Sequence, residues 1–219
     1  MKTAITLIIV TIFMAFYAVN KYNRKRKRNS YLQRFADMYE NELVIYDTET
    51  TGLNVENDDI IEISAVLVKH GEIIEEFDIM LEKHEGKQIP PFLGNIVNPM
   101  VEAYADPKNM KFDRKEGLEQ FLDFVNKRPL LAHNVLFDYN ILDNNLKRDA
   151  LILTFKKEHP VFFDSKLLAK YLFPYRKSYS LNNLIKDFNI KGKNTHRAKD
   201  DVLATKELID LCYNTIKKA

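Results

Sequence analysis

Four consecutive apolar residues, Leu43-Val44-Ile45-Tyr46, run straight into two acids spaced by one residue, Asp47 and Glu49. A short apolar run without polar alternation suits a strand buried on both faces, and such a strand needs helices on either side of its sheet. The rest of the chain can supply them. Ile60 to Lys69 and Glu72 to Leu81 are β-rich runs joined through His70-Gly71, a hairpin signal. Leu118, Phe121, Leu122 and Val125 lie at helical spacing within Arg114 to Lys127; Pro129 stops that helix, and Leu130 to Ala132 makes another short strand. Spacing predicts a helix over Phe137–Lys147, a strand at Val161–Phe163 feeding a helix through Leu172, a short helix capped by Ser180, and a last helix from about Ala198 to Ile216. Ile89 to Pro107, which contains Pro90-Pro91, is expected to be irregular. Strands first, then alternating helices and strands, indicate an α/β fold with a mixed sheet flanked by helices.

The first 34 residues are of another kind. They hold eight Lys/Arg and no acid, leaving 25 bases against 31 acids, a net of −6, in the other 185 residues. Ala4 to Val19 has no charge and no helix breaker. At about 1.5 Å per residue it spans roughly 24 Å, short of the ~30 Å hydrocarbon core of a bilayer. Thr3 and Asn20 to Tyr22 extend it, and Lys2 and Lys21 can snorkel to the two surfaces. A secretory signal would need small residues at a cleavage site; instead Lys21 and the block Arg24-Lys25-Arg26-Lys27-Arg28 follow. A buried soluble helix would show a polar stripe, which this run lacks. The expected organisation is therefore a single transmembrane helix over residues 1–22, a basic juxtamembrane linker over 23–41, and a globular domain over 42–219. The charge asymmetry places that C-terminal domain in the cytoplasm. The basic block is expected to touch anionic lipid, with nucleic acid phosphates as the competing use. A lone cysteine, Cys212, excludes an intramolecular disulfide and suits a reducing compartment.

The acids carry the chemical argument. Side chains two apart on a strand share a face, so Asp47 and Glu49 project together beyond Leu43 and Ile45, where the sheet opens. The plainer alternative is two solvated acids in a surface turn. Asp138 opens a helix with Ile141 and Leu142 three and four residues on, so it tops the buried stripe, although a first-turn acid also suits the helix dipole. Asp201 shares a stripe with Ala204, Thr205, Leu208, Leu211 and Cys212, whereas Asp200 aligns with Glu207; Asp201 is the acid that points inward. His196 would sit about 140° from Asp201 on a continuous helix, so it is expected on the loop before the helix, free to swing toward a substrate. A solvated loop histidine is the alternative. His70, His84, His133 and His159 have no comparable setting, and His133 is expected to hydrogen-bond locally.

Four inward acids from three separated segments suit hard divalent cations, while the absence of Cys clusters and paired His argues against zinc. Two such ions ~4 Å apart can bind both the attacking and the leaving oxygen of an in-line phosphoryl displacement. A histidine, with an ordinary pKa near ~6.5, can take the proton of the attacking water. The chemistry suggested is phosphodiester hydrolysis.

These segments resemble the DEDDh (DnaQ-like) superfamily of 3′→5′ exonucleases, which includes proofreading subunits and ribonuclease T-like enzymes. The matching pieces are DTETTGL (Asp47 to Leu53), HNVLFD (His133 to Asp138) and HRAKDD (His196 to Asp201), with IIEI (Ile60 to Ile63) in the second strand. The resemblance implies a ribonuclease H-like fold and two Mg²⁺ or Mn²⁺ ions held by Asp47, Glu49, Asp138 and Asp201, with His196 as general base. It makes Thr50, Gly52 and Leu53 candidates for contact with the terminal nucleotide, Leu53 as an apolar wedge against the last base. Asn134 and Phe137 are candidates for shaping the pocket, with local packing an equal alternative for Phe137. A membrane span is not part of the family's core pattern.

The expectation is a membrane-anchored, metal-dependent 3′→5′ exonuclease acting on DNA or RNA with a free 3′ end. Competing readings are an exoribonuclease trimming short RNA, a non-catalytic nucleic-acid-binding module tethered to the membrane, and a secreted nuclease if the apolar segment is cleaved.

Overall fold

Alternation along β1 (Glu42–Thr50) sends Val44 and Tyr46 to one side of a sheet and Leu43 and Ile45 to the other, all four buried. The computed structural model describes residues 2–151 and 161–218, with side chains from residue 16 onward. β2 (Ile60–Lys69) and β3 (Glu72–Leu81) continue from β1 as an antiparallel meander. The β2–β3 turn falls at His70-Gly71, both at positive φ (50° and 80°), the backbone that a two-residue hairpin with right-handed strand twist demands. Two short strands, β7 (Leu130–Ala132) and β8 (Phe162–Asp164), add parallel to β1, and β6 (Lys111–Phe112) adds parallel to β3, giving the order β6-β3-β2-β1-β7-β8. This is the mixed sheet the pattern predicted.

Helices cover both faces. On the Val44/Tyr46 side, α3 (Arg114–Val125) and α4 (Val135–Arg148) bury Leu118, Phe121, Leu122, Ile141, Leu142 and Leu146 against the sheet. On the other, α7 (Ala198–Lys217) packs on β1 and β2 with Val202, Ala204, Leu208, Ile209 and Cys212 buried. α5 (Ser165–Leu172) and α6 (Leu181–Phe188) pack beside α7. Gly192 is required here: a Cβ on it would lie 2.7 Å from the backbone Cα of Ala204.

The stretch expected to be irregular is partly ordered. A small hairpin of β4 (Phe92–Leu93) and β5 (Ile96–Val97) is followed by α2 (Pro99–Ala105), whose N-cap Asn98 accepts the N–H of Met100 at 3.0 Å. The prolines misled: Pro90-Pro91 precede the hairpin, whereas Pro99 stands at the first helical position, where its missing N–H costs nothing. His159 lies outside the described residues.

The chain divides into two units, Met1–Asp37 and Met38–Ala219. The first belongs to α1 (Lys2–Glu40), an uninterrupted helix through the basic block. Among the described residues no helix is long and apolar enough to cross a membrane. Most of the expected span, Ala4 to Val19, falls in residues whose side chains lie outside the described set. Within the second unit, the last turn of α1 is tied to α7: Tyr39 donates to Asp210 and its ring lies 4.5 Å from that of Tyr213.

Candidate active site

The carboxylates gather where β1 leaves the sheet. The β1–β2 register slips between Glu49 and Thr50, so the strand bends at the last acid. Thr48, between Asp47 and Glu49, faces the opposite side and donates its hydroxyl to Asp138 Oδ1 at 3.0 Å, joining the first turn of α4 to the end of β1. Asn134 begins α4 with a left-handed backbone (φ 73°), which turns the chain sharply from β7 into the helix.

From the far side comes the loop before α7. Asp201 is buried, and its two oxygens accept from Asn194 Nδ2 at 2.6 Å and from the N–H of Thr195 at 3.1 Å. Asp200 instead accepts from Thr195 Oγ1 at 2.6 Å. The inward acid is thus the one its helical phase selects. His196 precedes the helix on a left-handed backbone (φ 58°), on the loop as expected. Glu49, His196 and Asp201 each offer a ligand atom within 4.8 Å of the other two.

Asp47 and Asp138 stand outside that close triad but share its field. Burial, then the charges of Asp138, Glu49 and Asp201, hold the Asp47 carboxyl well above the usual range. Burial, then Asp201 and Glu62, push Glu49 up to about 8. Burial raises Asp138 to about 7 against the opposing hydroxyl of Thr48, and raises Asp201 to about 7 against the N–H of Thr195. Carboxylates that lose their hydration and repel one another need cationic charge to ionise together. Carboxylate oxygens are the donors a hard divalent cation takes, and the imidazole of His196 lies beside them. The donor set and its electrostatics therefore fit the expected metal.

The candidate nucleotide-contacting residues lie on the loop after β1. Thr50 Oγ1 donates to the carbonyl of Gly52 at 2.6 Å, and Leu53 is 83% exposed. Asp58 clamps the loop by accepting from the N–H of Asn54 at 2.8 Å and from Thr51 Oγ1 at 3.3 Å. A Cβ on Gly52 would lie 2.4 Å from the Asp58 carboxylate, so any side chain there would have to displace that clamp. Behind it the buried Asp59 accepts from Arg148 Nη1 at 2.9 Å and from the N–H of His84 at 2.7 Å. Asn134 is exposed and accepts from Lys166 Nζ at 3.1 Å, whereas Phe137 packs on the core, in line with its packing alternative. His133 bonds locally: it is pushed down to about 4 by burial, its Nε2–H donates to the carbonyl of Tyr179 at 3.0 Å, and its Nδ1 pairs with Ser165 Oγ at 2.8 Å.

Sequence reasoning gave Glu62 and Arg197 no role. Glu62 is buried in β2, and Arg197 joins it through two nitrogens. The available signal was a lone acid inside the run IIEISAVLV, since a charge in a doubly covered strand must find a partner.

Comparison with known proteins follows the same segments. The RNase T family model, described as "Exonuclease", matches residues 44–209. A DNA polymerase III of PolC type from Clostridium perfringens is 34% identical over 185 residues, which are 83% of this chain and 12% of that protein. The Bacillus subtilis protein of the same description is 34% identical over 167 residues, 76% and 11% respectively. The chain thus spans about an eighth of the curated relatives it matches. Among solved structures, an E. coli ExoI–ssDNA complex superposes with a TM-score of 0.63 at 19% identity, covering 78% of this chain and 40% of that one. Exonuclease X in complex with 5′ overhanging duplex DNA gives 0.52 at 20% identity, covering 81% and 92%. At these identities the structural likeness shows the fold, which is the ribonuclease H-like one.

Proposed function

This chain belongs to the RNase T exonuclease family, of DEDDh type, and from that membership and the site's geometry we propose that it removes nucleotides from the 3′ end of nucleic acid by hydrolysis. The observation that carries the proposal is the convergence of Glu49, His196 and Asp201 within 4.8 Å, beside two further acids in the same field. Asp47, Glu49, Asp138 and Asp201 would hold Mg²⁺ or Mn²⁺. When bound, a pair of such ions supplies the positive charge that an in-line displacement at phosphorus requires. The imidazole of His196 accepts the proton as the water oxygen bonds to phosphorus and the 3′ oxygen of the preceding nucleotide leaves. Thr50, Gly52 and Leu53 place the terminal nucleotide, with Leu53 against its base and Asn134 at the pocket's rim.

Single-stranded DNA is the first substrate to test, because the similar proteins include PolC-type DNA polymerases and an exonuclease in complex with ssDNA. Release of labelled nucleotide from matched DNA and RNA oligomers, tagged at either end, with and without chelator, is the experiment. Release from the 3′ end that stops in chelator supports the reading; tight oligonucleotide binding with no release under Mg²⁺ or Mn²⁺ sinks it.

We further propose that residues 1–22 anchor the chain as a single transmembrane helix, with residues 23–41 as a basic linker at anionic lipid and residues 42–219 on the cytoplasmic side. What supports this is the charge-free run Ala4 to Val19 followed by the basic block. Retention in the membrane pellet after alkaline extraction is expected, and release into the supernatant contradicts it.

A further inference from the structure

From Ser165 to Lys186 the chain carries five bases and no acid, in a body that is otherwise acidic. The fold sets this segment beside the candidate site. Lys166 Nζ reaches Asn134 Oδ1 at 3.1 Å, and Lys170, one turn further along α5, is exposed with its ammonium 5.8 Å from the ring centre of Tyr179. The loop that follows, Phe173 to Ser180, is braced at both ends. Tyr179 accepts His133 Nε2–H on its carbonyl at 3.0 Å, donates its hydroxyl to the carbonyl of Phe173 at 2.9 Å, and accepts the N–H of Arg176 at 3.3 Å. Arg176 donates to Asp187 at 2.7 Å and lies 4.2 Å over the ring of Phe188.

At the tip of this braced loop Tyr175 is fully exposed, on a left-handed backbone (φ 71°). An aromatic residue in that conformation is strained and persists only where its surroundings enforce it. Tyr175 lines an open cleft of about 590 Å³ together with Lys177, Asn183 and Asp187, the last neutralised by its pair with Arg176. A braced, exposed aromatic face with Lys177 on the same cleft and Lys170 on the adjoining helix is the arrangement that binds single-stranded nucleic acid, bases stacking on the ring and phosphates meeting the ammonium groups. Charge selects the same occupant, since the segment is locally basic on an acidic body.

We infer that Tyr175, Lys170 and Lys177 form a second contact for the substrate strand, gripping the single-stranded nucleic acid upstream of the nucleotide being removed. The inference rests on the exonuclease reading for the identity of the ligand. It makes length of strand the determinant of affinity at this surface, and leaves the hydrolytic step to the carboxylate site.

The test compares the full chain with Tyr175→Ala, Tyr175→Phe and the double variant Lys170→Ala/Lys177→Ala. On a single strand of about twenty nucleotides, Tyr175→Ala is expected to raise KM about tenfold with kcat unchanged, and Tyr175→Phe to behave as the parent protein. Hydrolysis of the p-nitrophenyl ester of thymidine 5′-monophosphate, too short to reach the loop, should be the same in all four. The lysine variant should flatten the dependence of log KM on log salt. Fluorescence anisotropy of the same labelled strand in chelator measures Kd without turnover, so it tests the platform even if the protein hydrolyses nothing, and a silent parent enzyme would count against the exonuclease reading alone. Equal KM and Kd for Tyr175→Ala and the parent on the long strand overturn the inference.

Discussion

Arg197 donates to Glu62 through Nε at 3.0 Å and Nη2 at 2.6 Å, while the same carboxylate accepts the N–H of Ala198 at 2.9 Å. One buried acid in the middle of the sheet thereby holds the start of α7 from two directions. His196 lies immediately before that clamp and Asp201 one turn after it. The pair therefore fixes where the candidate base and the fourth acid stand relative to β1.

Glu62→Ala should accordingly damage stability and turnover together. Removing one member of a buried ion pair costs roughly 3–5 kcal/mol. The Arg197 side chain is one-third exposed, so hydration offsets part of that and a loss of about 2 kcal/mol is expected. Urea denaturation measures the loss. Nucleotide release should fall mainly in kcat, and a variant with the parent's kcat would show that the clamp positions nothing.

Asp201→Ala is expected to abolish nucleotide release, whereas Asp200→Ala should retain most of it. Asp201 is buried among the acids, while the contact found for Asp200 is with Thr195 Oγ1 beside the helix. Its loss resembles the loss of a surface cap, about 1 kcal/mol of stability. Assays of both variants on one labelled oligonucleotide decide this; equal activities would mean that the helical phase selects the wrong carboxylate.

Gly52→Ala should raise KM more than it lowers kcat, because the added Cβ, 2.4 Å from the Asp58 carboxylate, displaces the clamp on the loop that presents Leu53. A cost of about 1 kcal/mol in stability is expected. The same substitution made in an Asp58→Ala background should cost less, since the carboxylate atoms the methyl meets first are gone. A double-mutant cycle showing no coupling between the two positions would refute the account.

Stability of the metal-free protein should fall as pH rises from about 6.5 to about 8.5. Asp138 and Asp201, raised to about 7, and Glu49, raised to about 8, still bind protons in the folded state where the unfolded chain has already lost them. The folded state then holds more protons, so unfolding free energy declines through the window and levels off above it. His133, pushed down to about 4, is neutral in the folded chain across this range and adds no fall of its own. Mg²⁺ or Mn²⁺ should oppose the decline, by about 2.7 kcal/mol at a hundredfold excess over its Kd. Thermal denaturation across this pH range in chelator and in Mg²⁺ checks both; identical curves would argue against a cation site.

Several elements were legible because their cause is local. The apolar run Leu43–Tyr46, the positive-φ turn at His70-Gly71 and the stripe on α7 follow from side-chain period and backbone sterics, and each lies where the pattern put it. The same period selected Asp201 over Asp200. Helix α2 was missed because two prolines outweighed the cap at Asn98-Pro99. The β6 pairing was missed because a two-residue strand has no period of its own.

What the amino-acid sequence by itself determined is the inventory: a doubly buried strand ending in acids, the helical phase of Asp138 and Asp201, a histidine before the last helix, and a basic head on an acidic body. What only the tertiary structure decided is which groups meet across the chain. Glu62 and Arg197 lie 135 positions apart, and Thr48 and Asp138 are separated by 90. Periodicity reports the direction of a side chain relative to its own element; a buried charge selects its partner only after the sheet and helices have closed around it and removed the water that would otherwise have solvated it.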